Sequence, residues 1–282
     1  MAINWYPGHM GVARRAAAES MRKIDLVVEV LDARIPYSSC NPMFEALRRQ
    51  GQRPALKLLN KADFADPEHT RRWLQHYNSQ PDVKAMSMSA KRPKEVQRIP
   101  GLCQAMLPGR GTRLKPLRMM ILGIPNVGKS TLMNALLNRR VALVGDEPAI
   151  TKHQMLHSLG TGMTLMDTPG MLWAGMAQDV SYRLAATHSI GRAAYEDEDA
   201  AVYLASYLVK QYPALLVKRF GPLAENCDGH GLLAAIAQAR SLAKKAGGLD
   251  IARAATTLLN EFRSGTLGPI SLETIEQISP SA

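Results

Sequence analysis

The sequence predicts an α/β fold, a mostly parallel sheet with helices on both faces, followed by a small all-helical C-terminal domain. Three observations point there. Short apolar runs of strand type alternate with helical patterns through the first two thirds of the chain. One of those strands runs straight into a glycine-rich loop of phosphate-binding type that opens a helix. Beyond about residue 180, Ala and Leu recur at helical spacing with no convincing strand between them.

The elements follow in order. Asp25–Asp32 is the first strand, and the loop Ala33-Arg-Ile-Pro36 leaves it. A helical pattern spans Pro42–Arg49, and Pro54–Leu59 is a second strand ending at Asn60. Pro67–Tyr77 reads as helix and Val83–Ser87 as a third strand, which gives way to Ser89-Ala90-Lys91. Glu95–Leu107 is helical and leads through the breaker-rich Pro108-Gly-Arg-Gly-Thr112. Arg118–Leu122 is the strand that feeds the phosphate loop, and Ser130–Leu137 continues as helix. Val141–Val144 and Met163–Met166 close the strands, and Glu196–Lys210, Gly231–Lys245 and Leu249–Phe262 form the helical part. The expected division is 1–178, which takes in the N-terminal segment 1–23, and 179–282.

Composition narrows the class. With 46% apolar residues in 282, the chain can bury a large core, and no run approaches the roughly 18 apolar residues of a membrane helix. Trp5, Pro7 and Gly8 interrupt the N-terminus where a signal peptide needs a smooth apolar run. Cys40, Cys103 and Cys227 lie far apart, with neither zinc nor disulfide spacing, so a reducing cytoplasm is expected. The formal net charge is +11, and the surplus is uneven: residues 1–179 hold 25 basic and 14 acidic side chains, residues 180–282 hold 10 of each. The densest stretch is 84–118, where nine basic residues face Glu95 alone. Such a run favours a polyanion partner, because each neutralised phosphate releases condensed counterions.

Four strand-end motifs carry the chemistry. Gly123-x4-Gly128-Lys129-Ser130 lets backbone N–H groups approach phosphates, brings Lys129 to the β and γ oxygens, and offers the Ser130 hydroxyl to Mg²⁺. Asp167-Thr-Pro-Gly170 supplies a strand-end carboxylate for the metal and a Gly170 N–H that can sense a γ-phosphate. Thr151, between those motifs, is placed where a switch residue would give the metal a second hydroxyl. Asn60-Lys-Ala-Asp63 supplies base choice. An ionised Asp63 accepts from the N1–H and exocyclic amine of guanine, whereas adenine has no N1–H to give, and a site of this kind can discriminate by roughly 10⁴. The Lys61 stem can cover the ring, Asn60 can reach the base or the phosphate loop, and Ser89, Ala90 and Lys91 can offer N–H groups to O6. The GTP-binding set is completed by Asn126, Val127 and Thr131 of the phosphate loop. The base signature precedes the phosphate loop, so the motif order is permuted. Domain termini usually lie close in space, which makes such reordering tolerable, and 92–117 is the expected new tether.

These motifs resemble those of the circularly permuted GTPases, and within them the ribosome biogenesis GTPase A (YlqF) family. The likeness includes Trp5-Tyr-Pro-Gly-His-Met10, Asp32-Ala-Arg-Ile-Pro36, Asp167-Thr-Pro-Gly-Met-Leu-Trp173 and the tail from Gly248 to Gly268, and it spans nearly the whole chain. It implies a P-loop GTPase acting late in assembly of the large ribosomal subunit, with the helical domain on rRNA. Mg²⁺ is the cofactor expected from the motifs, and a monomer is the expected state. Two departures stand out: Ala149 where the family usually has Gly, and a near-neutral helical domain, which shifts the expected RNA contact toward 84–118 and the N-terminal helix.

Met171 occupies the position where Ras-like enzymes carry a water-orienting Gln, and a thioether cannot do that work. The resemblance points to His9 for the water, with Lys129 and Thr151 as the other catalytic residues; His9 can equally cap or pack the N-terminal segment against Trp5 or Tyr6. His153 and His157 are further candidates. Asn126 resembles the residue with which related GTPases bind K⁺, whose charge would stand in for an arginine finger. Slow intrinsic hydrolysis, stimulated by the subunit, is expected. The alternatives are an RNA-binding assembly protein with negligible turnover and a P-loop ATPase or kinase with a fortuitous Asn-Lys-Ala-Asp.

Overall fold

The structure is a computed structural model that describes residues 10–139, 155–160, 162–245 and 247–278. The chain divides into two compact units: Met176–Leu272, and a sheet unit holding the described residues up to Gly175 together with 273–278. Among the described residues the covalent chain therefore passes from one unit to the other twice.

In the sheet unit the elements are α1 (Met10–Met21), β1 (Leu26–Asp32), α2 (Pro42–Gln50), β2 (Ala55–Asn60), α3 (Pro67–Asn78) and β3 (Val83–Ser87). They continue with α4 (Pro93–Val96), α5 (Ile99–Met106), β4 (Leu117–Leu122), α6 (Lys129–Leu137), β5 (Met155–Ser158) and β6 (Met163–Asp167). Strand order among the described residues is β3-β2-β1-β4-β6-β5, parallel throughout except for the β5–β6 pair. The parallel strands place their C-terminal ends on one edge, and β1 and β4 meet where the winding reverses, the position where open α/β sheets form ligand crevices.

Burial follows from sequence alternation. β1 and β2 are buried along their whole length, as strands covered on both faces must be. On one face Val27 and Ala55 pack with Phe44 of α2, and Leu31 and Leu59 pack with Trp73 and Tyr77 of α3. Between these two clusters Glu29 and Lys57 form a buried ion pair, which Glu45 joins at 3.6 Å. Residues of the other parity, Val28, Val30, Leu56 and Leu58, are equally buried. The helices start where their caps dictate: Asn41 accepts from Met43 N–H ahead of Pro42, and Asp66 accepts from Glu68 and His69 N–H ahead of Pro67.

The other unit contains α7 (Gln178–Ala186), α8 (Asp197–Gln211), α9 (Pro213–Phe220), α10 (Gly229–Ala239) and α11 (Ile251–Ser264). α8 packs on α7, α10 and α11 through Leu204, Leu208, Leu232, Ile236, Leu258 and Leu259. Arg263 satisfies the end of α7 by donating to Ala185 and Ala186 carbonyls at 2.9 and 3.0 Å. The last helix, α12 (Ile275–Ile278), belongs to the sheet unit, where Ile275 packs beside Trp73.

Some expectations need correcting. β5 escaped the sequence reading because its exposure is inverted: Leu156 is exposed while His157 is buried. α7 and α9 were likewise not foreseen, and α10 stops at Ala239 rather than 245 because Ser241 turns left-handed (φ 52°) and the chain folds back through the Ala243–Leu249 bridge. The expected strand Val141–Val144 lies outside the described residues. The basic stretch 84–118 does not form one stripe. Lys91, Arg92 and Lys94 follow β3 at the C-terminal edge of the sheet, whereas Arg110, Arg113, Lys115 and Arg118 lie at or before the start of β4, on the opposite edge. There Arg110 and Arg118 close on the buried Asp25 at 3.3 and 3.0 Å.

Candidate functional site

The C-terminal edge gathers the predicted motifs. Gly123 to Gly128 leaves β4 and turns into α6, and Gly128 is required there: its φ is 100°, and a Cβ would strike the Asn60 side-chain amide. Lys129, nearly buried, donates to the Ile124 carbonyl at 2.6 Å. Asp167 ends β6, and the Thr168 hydroxyl behind it donates to the Ile121 carbonyl at 2.6 Å, pinning the Asp-Thr-Pro-Gly turn to β4. Gly170 lies against the phosphate loop; a Cβ there would come within 2.9 Å of Lys129 Nζ and 3.0 Å of Pro125. Met171 is a core residue beside Met21 and Phe44, so residue 171 has no access to a water in the site.

Two hydrogen bonds join the base signature to the phosphate loop. Asn60 Nδ2 donates to the Val127 carbonyl at 2.7 Å, and Lys61 Nζ to the Asn126 carbonyl at 2.7 Å, across 67 and 65 residues of sequence. Lys61 itself turns left-handed (φ 60°), which sends its stem along the loop. Asn60 uses its other amide atom to accept from Ala90 N–H at 2.8 Å, and Ser89 N–H donates to Glu95 at 2.7 Å. Of the three N–H groups expected to face O6, that of Lys91 is the one given no acceptor among the described residues. Asp63 is exposed, and its carboxylate has no hydrogen-bond or ion-pair partner among the described residues. Phe64 next to it lies between Arg34 and Lys91, each about 6.0 Å from the ring centre. Ser130 and Thr131 stand in the first turn of α6. His9, Thr151 and His153 lie outside the described residues, and His157 is buried on β5 beside Asp167.

Sequence reasoning missed the residues that hold these loops. Asp32, fully buried at the end of β1, receives Arg34 Nε and Nη2 at 2.9 and 2.8 Å and Lys61 Nζ at 2.9 Å. Asn41, also buried, donates to the Met171 carbonyl at 2.9 Å. The available signal for Asp32 was a carboxylate at a strand end between two strands that carry motifs.

Electrostatics are those of a site poised for an anion. Burial pulls the Lys129 ammonium down to about 8, against the opposing pull of Asp167. Burial likewise raises the Asp167 carboxyl, with Lys129 holding it back. A phosphate chain beside Lys129 would restore its proton. With a free value of about 8, binding at that pH takes up about half a proton and affinity falls as pH rises further. Calorimetry with GDP in buffers of different ionisation enthalpy measures this uptake directly; none at all would contradict the assignment.

A family model described as 50S ribosome-binding GTPase matches residues 118–215. A relative from Bacillus cereus named ribosome biogenesis GTPase A is 36% identical, over 98% of this chain and 95% of its own length. The chain belongs to the ribosome biogenesis GTPase A family. Two solved structures are similar to it: GDP-bound YlqF, with TM-score 0.68 and 26% identity over 93% of this chain and 100% of its own, and GNP-bound YlqF from T. maritima, with TM-score 0.66 and 26% identity over 94% and 99%. This is a circularly permuted GTPase whose sheet unit carries the P-loop fold. The family model covers the phosphate loop and the Asp167 turn, while the base signature lies ahead of it. No helix among the described residues is long and apolar enough to cross a membrane.

Proposed function

We propose that this ribosome biogenesis GTPase binds GTP across the C-terminal edge of its sheet and cleaves it during assembly of the large ribosomal subunit, the bound nucleotide setting its affinity for the subunit and its rRNA. The observation that carries the reading is the pair of hydrogen bonds from Asn60 and Lys61 to the phosphate loop. They hold a base-choosing carboxylate and a phosphate-binding ammonium on one frame. Asp63 takes the guanine N1–H and amine, Lys61 covers the ring, and the Lys91 N–H, which has no acceptor among the described residues, meets O6. The N–H groups from Asn126 to Thr131 and the Lys129 ammonium cradle the phosphates, and Gly170 reads the γ-phosphate.

The donors present fit Mg²⁺. Ser130 and Asp167 offer hard oxygens next to Lys129, and no group of three or more His, Cys, Asp or Glu gathers among the described residues, so phosphate oxygens and water would complete the shell. Thr151 adds a second hydroxyl. Bound there, Mg²⁺ neutralises charge developing on the β and γ oxygens. Asn126 is assigned to K⁺ on the resemblance, and His9 to the attacking water, since Met171 is buried in the core. The sheet unit does the chemistry, and the helical unit, Met176–Leu272 rather than the expected 179–282, joins cations of 84–118 in contacting rRNA. Lys94 beyond the C-terminal edge, and Arg113 and Lys115 at the opposite edge, are exposed and in no ion pair among the described residues, so they offer RNA two separate basic patches rather than one. The protein acts in the cytoplasm as a monomer.

The test is cosedimentation with purified ribosomal subunits in GDP and in a non-hydrolysable GTP analogue, paired with single-turnover hydrolysis in K⁺ and Na⁺ buffers. Large-subunit binding favoured by the analogue, and hydrolysis stimulated by the subunit and lost in His9→Ala, are expected. Nucleotide-independent association, or equal turnover with and without subunits, would count against the cycle.

A further inference from the structure

We propose that Glu273, the first residue of the chain to rejoin the sheet unit, is a positioning residue for the nucleotide site. This rests on the assignment of Lys61 and the 167–171 turn to that site. Glu273 is fully buried. Its carboxylate accepts from Tyr37 N–H at 2.8 Å, from Ser38 N–H at 3.0 Å and from the Ser38 hydroxyl. Its own carbonyl accepts from Trp73 Nε1 at 3.3 Å. Hydrogen bonds to an ionised acceptor are the stronger kind, and three of them converge on two consecutive residues of an irregular loop.

That loop, 33–41, is anchored to the site at both ends. At its start Asp32 holds the Lys61 ammonium, and Asp32 N–H donates to the Ser39 hydroxyl at 3.0 Å across the loop. At its end Asn41 holds the Met171 carbonyl, one residue beyond the glycine assigned to the γ-phosphate. The segment is irregular but largely buried, and its own turn bonds hold it: Ser39 N–H donates to the Ile35 carbonyl at 2.9 Å and Cys40 N–H to the Tyr37 carbonyl at 3.0 Å. The Tyr77 hydroxyl donates to the Pro36 carbonyl at 3.1 Å, and Glu273 adds the carboxylate among these anchors. The Glu273 carboxylate fixes its middle and so fixes the angle at which its two ends meet the base loop and the phosphate-sensing turn. The covalent path adds a point: 171 lies shortly before the chain leaves for the helical unit, and 273 is where it returns. One loop is thus bonded to both sides of that excursion.

A purely structural role would lower stability without changing nucleotide exchange, so the experiment separates the two. Full-length wild type, Glu273→Gln and Ile275→Ala are compared for release of fluorescent GDP and for thermal midpoint. Ile275 packs on the Trp73 cluster, which also takes in Ala33 and Cys40 of the loop, but it makes no hydrogen bond to the loop among the described residues. Glutamine removes the charge from all three bonds, and its amide nitrogen cannot accept in place of the oxygen it replaces. Glu273→Gln is expected to release GDP about ten-fold faster, while Ile275→Ala loses stability yet releases GDP at the wild-type rate. Ser38→Ala, which removes the hydroxyl alone, gives a smaller acceleration and serves if Glu273→Gln does not fold. GDP release from both loop-contact variants at the rate of Ile275→Ala would overturn the proposal. Lys129→Ala is the control for the site itself: undiminished GDP binding there would overturn the assignment on which the proposal rests, and the proposal with it.

Discussion

Asp63→Asn is expected to lose roughly 10⁴-fold in GTP affinity and to regain most of it with xanthosine triphosphate. The guanine edge presents two donors, N1–H and the exocyclic amine, and a carboxylate answers both. An Asn amide turns one acceptor into a donor and meets the guanine amine with a clash of like polarity, whereas xanthine places a carbonyl at that position. The exposed Asp63 carboxylate has no partner among the described residues, so its loss leaves the fold unstrained and the thermal midpoint within about a degree or two of wild type. Competition of GTP, XTP and ATP against a fluorescent guanine nucleotide reads all three preferences at once. ATP competing as well as GTP in the wild type would contradict the assignment of base choice to Asp63.

Asp32→Ala is expected to destabilise the protein by about 3–5 kcal/mol. Arg34 and Asp32 are both buried, and removing the carboxylate leaves the guanidinium without its counter-charge. Burial alone would raise the Asp32 carboxyl, but Arg34 and Lys61 more than offset it and hold it well below the ordinary 3.8. The sign follows. A depressed carboxyl contributes stability that is fully present above 3.8 and is lost only as pH falls through the lower folded-state value, so the Asp32→Ala penalty is constant through neutral pH. Replacing both partners with apolar residues, Asp32→Leu with Arg34→Met, is expected to restore most of the stability, since a buried pair can often be exchanged for apolar packing. The double variant still takes the Asp32 carboxylate from Lys61 and leaves it on the Asn126 carbonyl, so GTP affinity stays low while stability recovers. Urea denaturation and nucleotide titration on the same samples check both. Recovery of stability and affinity together would mean that Asp32 does nothing for Lys61.

Much of this was legible in the residues. The alternation of apolar runs with capped helices gave the parallel strands to within a residue or two, because β1 and β2 are buried on both faces and read as continuous hydrophobic stretches. Gly128 and the strand before it marked the phosphate loop, since a glycine there is forced by the close approach of Asn60. What escaped has physical causes. β5 carries its apolar Leu156 outward and its polar His157 inward, opposite to the usual pattern. Asp32 holds Arg34 locally but reaches Lys61 across 29 residues, and Asn41 and Glu273 reach partners 130 and up to 236 residues away, which no local pattern marks. The basic stretch looked continuous because sequence proximity was read as spatial proximity, yet the helices between Pro93 and Met106 carry the chain from one edge of the sheet to the other.

The central claim is that a permuted chain rebuilds one continuous nucleotide site, with Asp63 and Lys129 at opposite ends of the same ligand. A crystal structure with a non-hydrolysable GTP analogue and Mg²⁺ tests it most directly. The account predicts the guanine N1 and exocyclic amine within about 3 Å of the Asp63 carboxylate while the β- and γ-phosphates lie in the 123–130 loop against Lys129. Phosphates in that loop with the base turned away from Asp63, or a nucleotide bound elsewhere on the sheet, would contradict it.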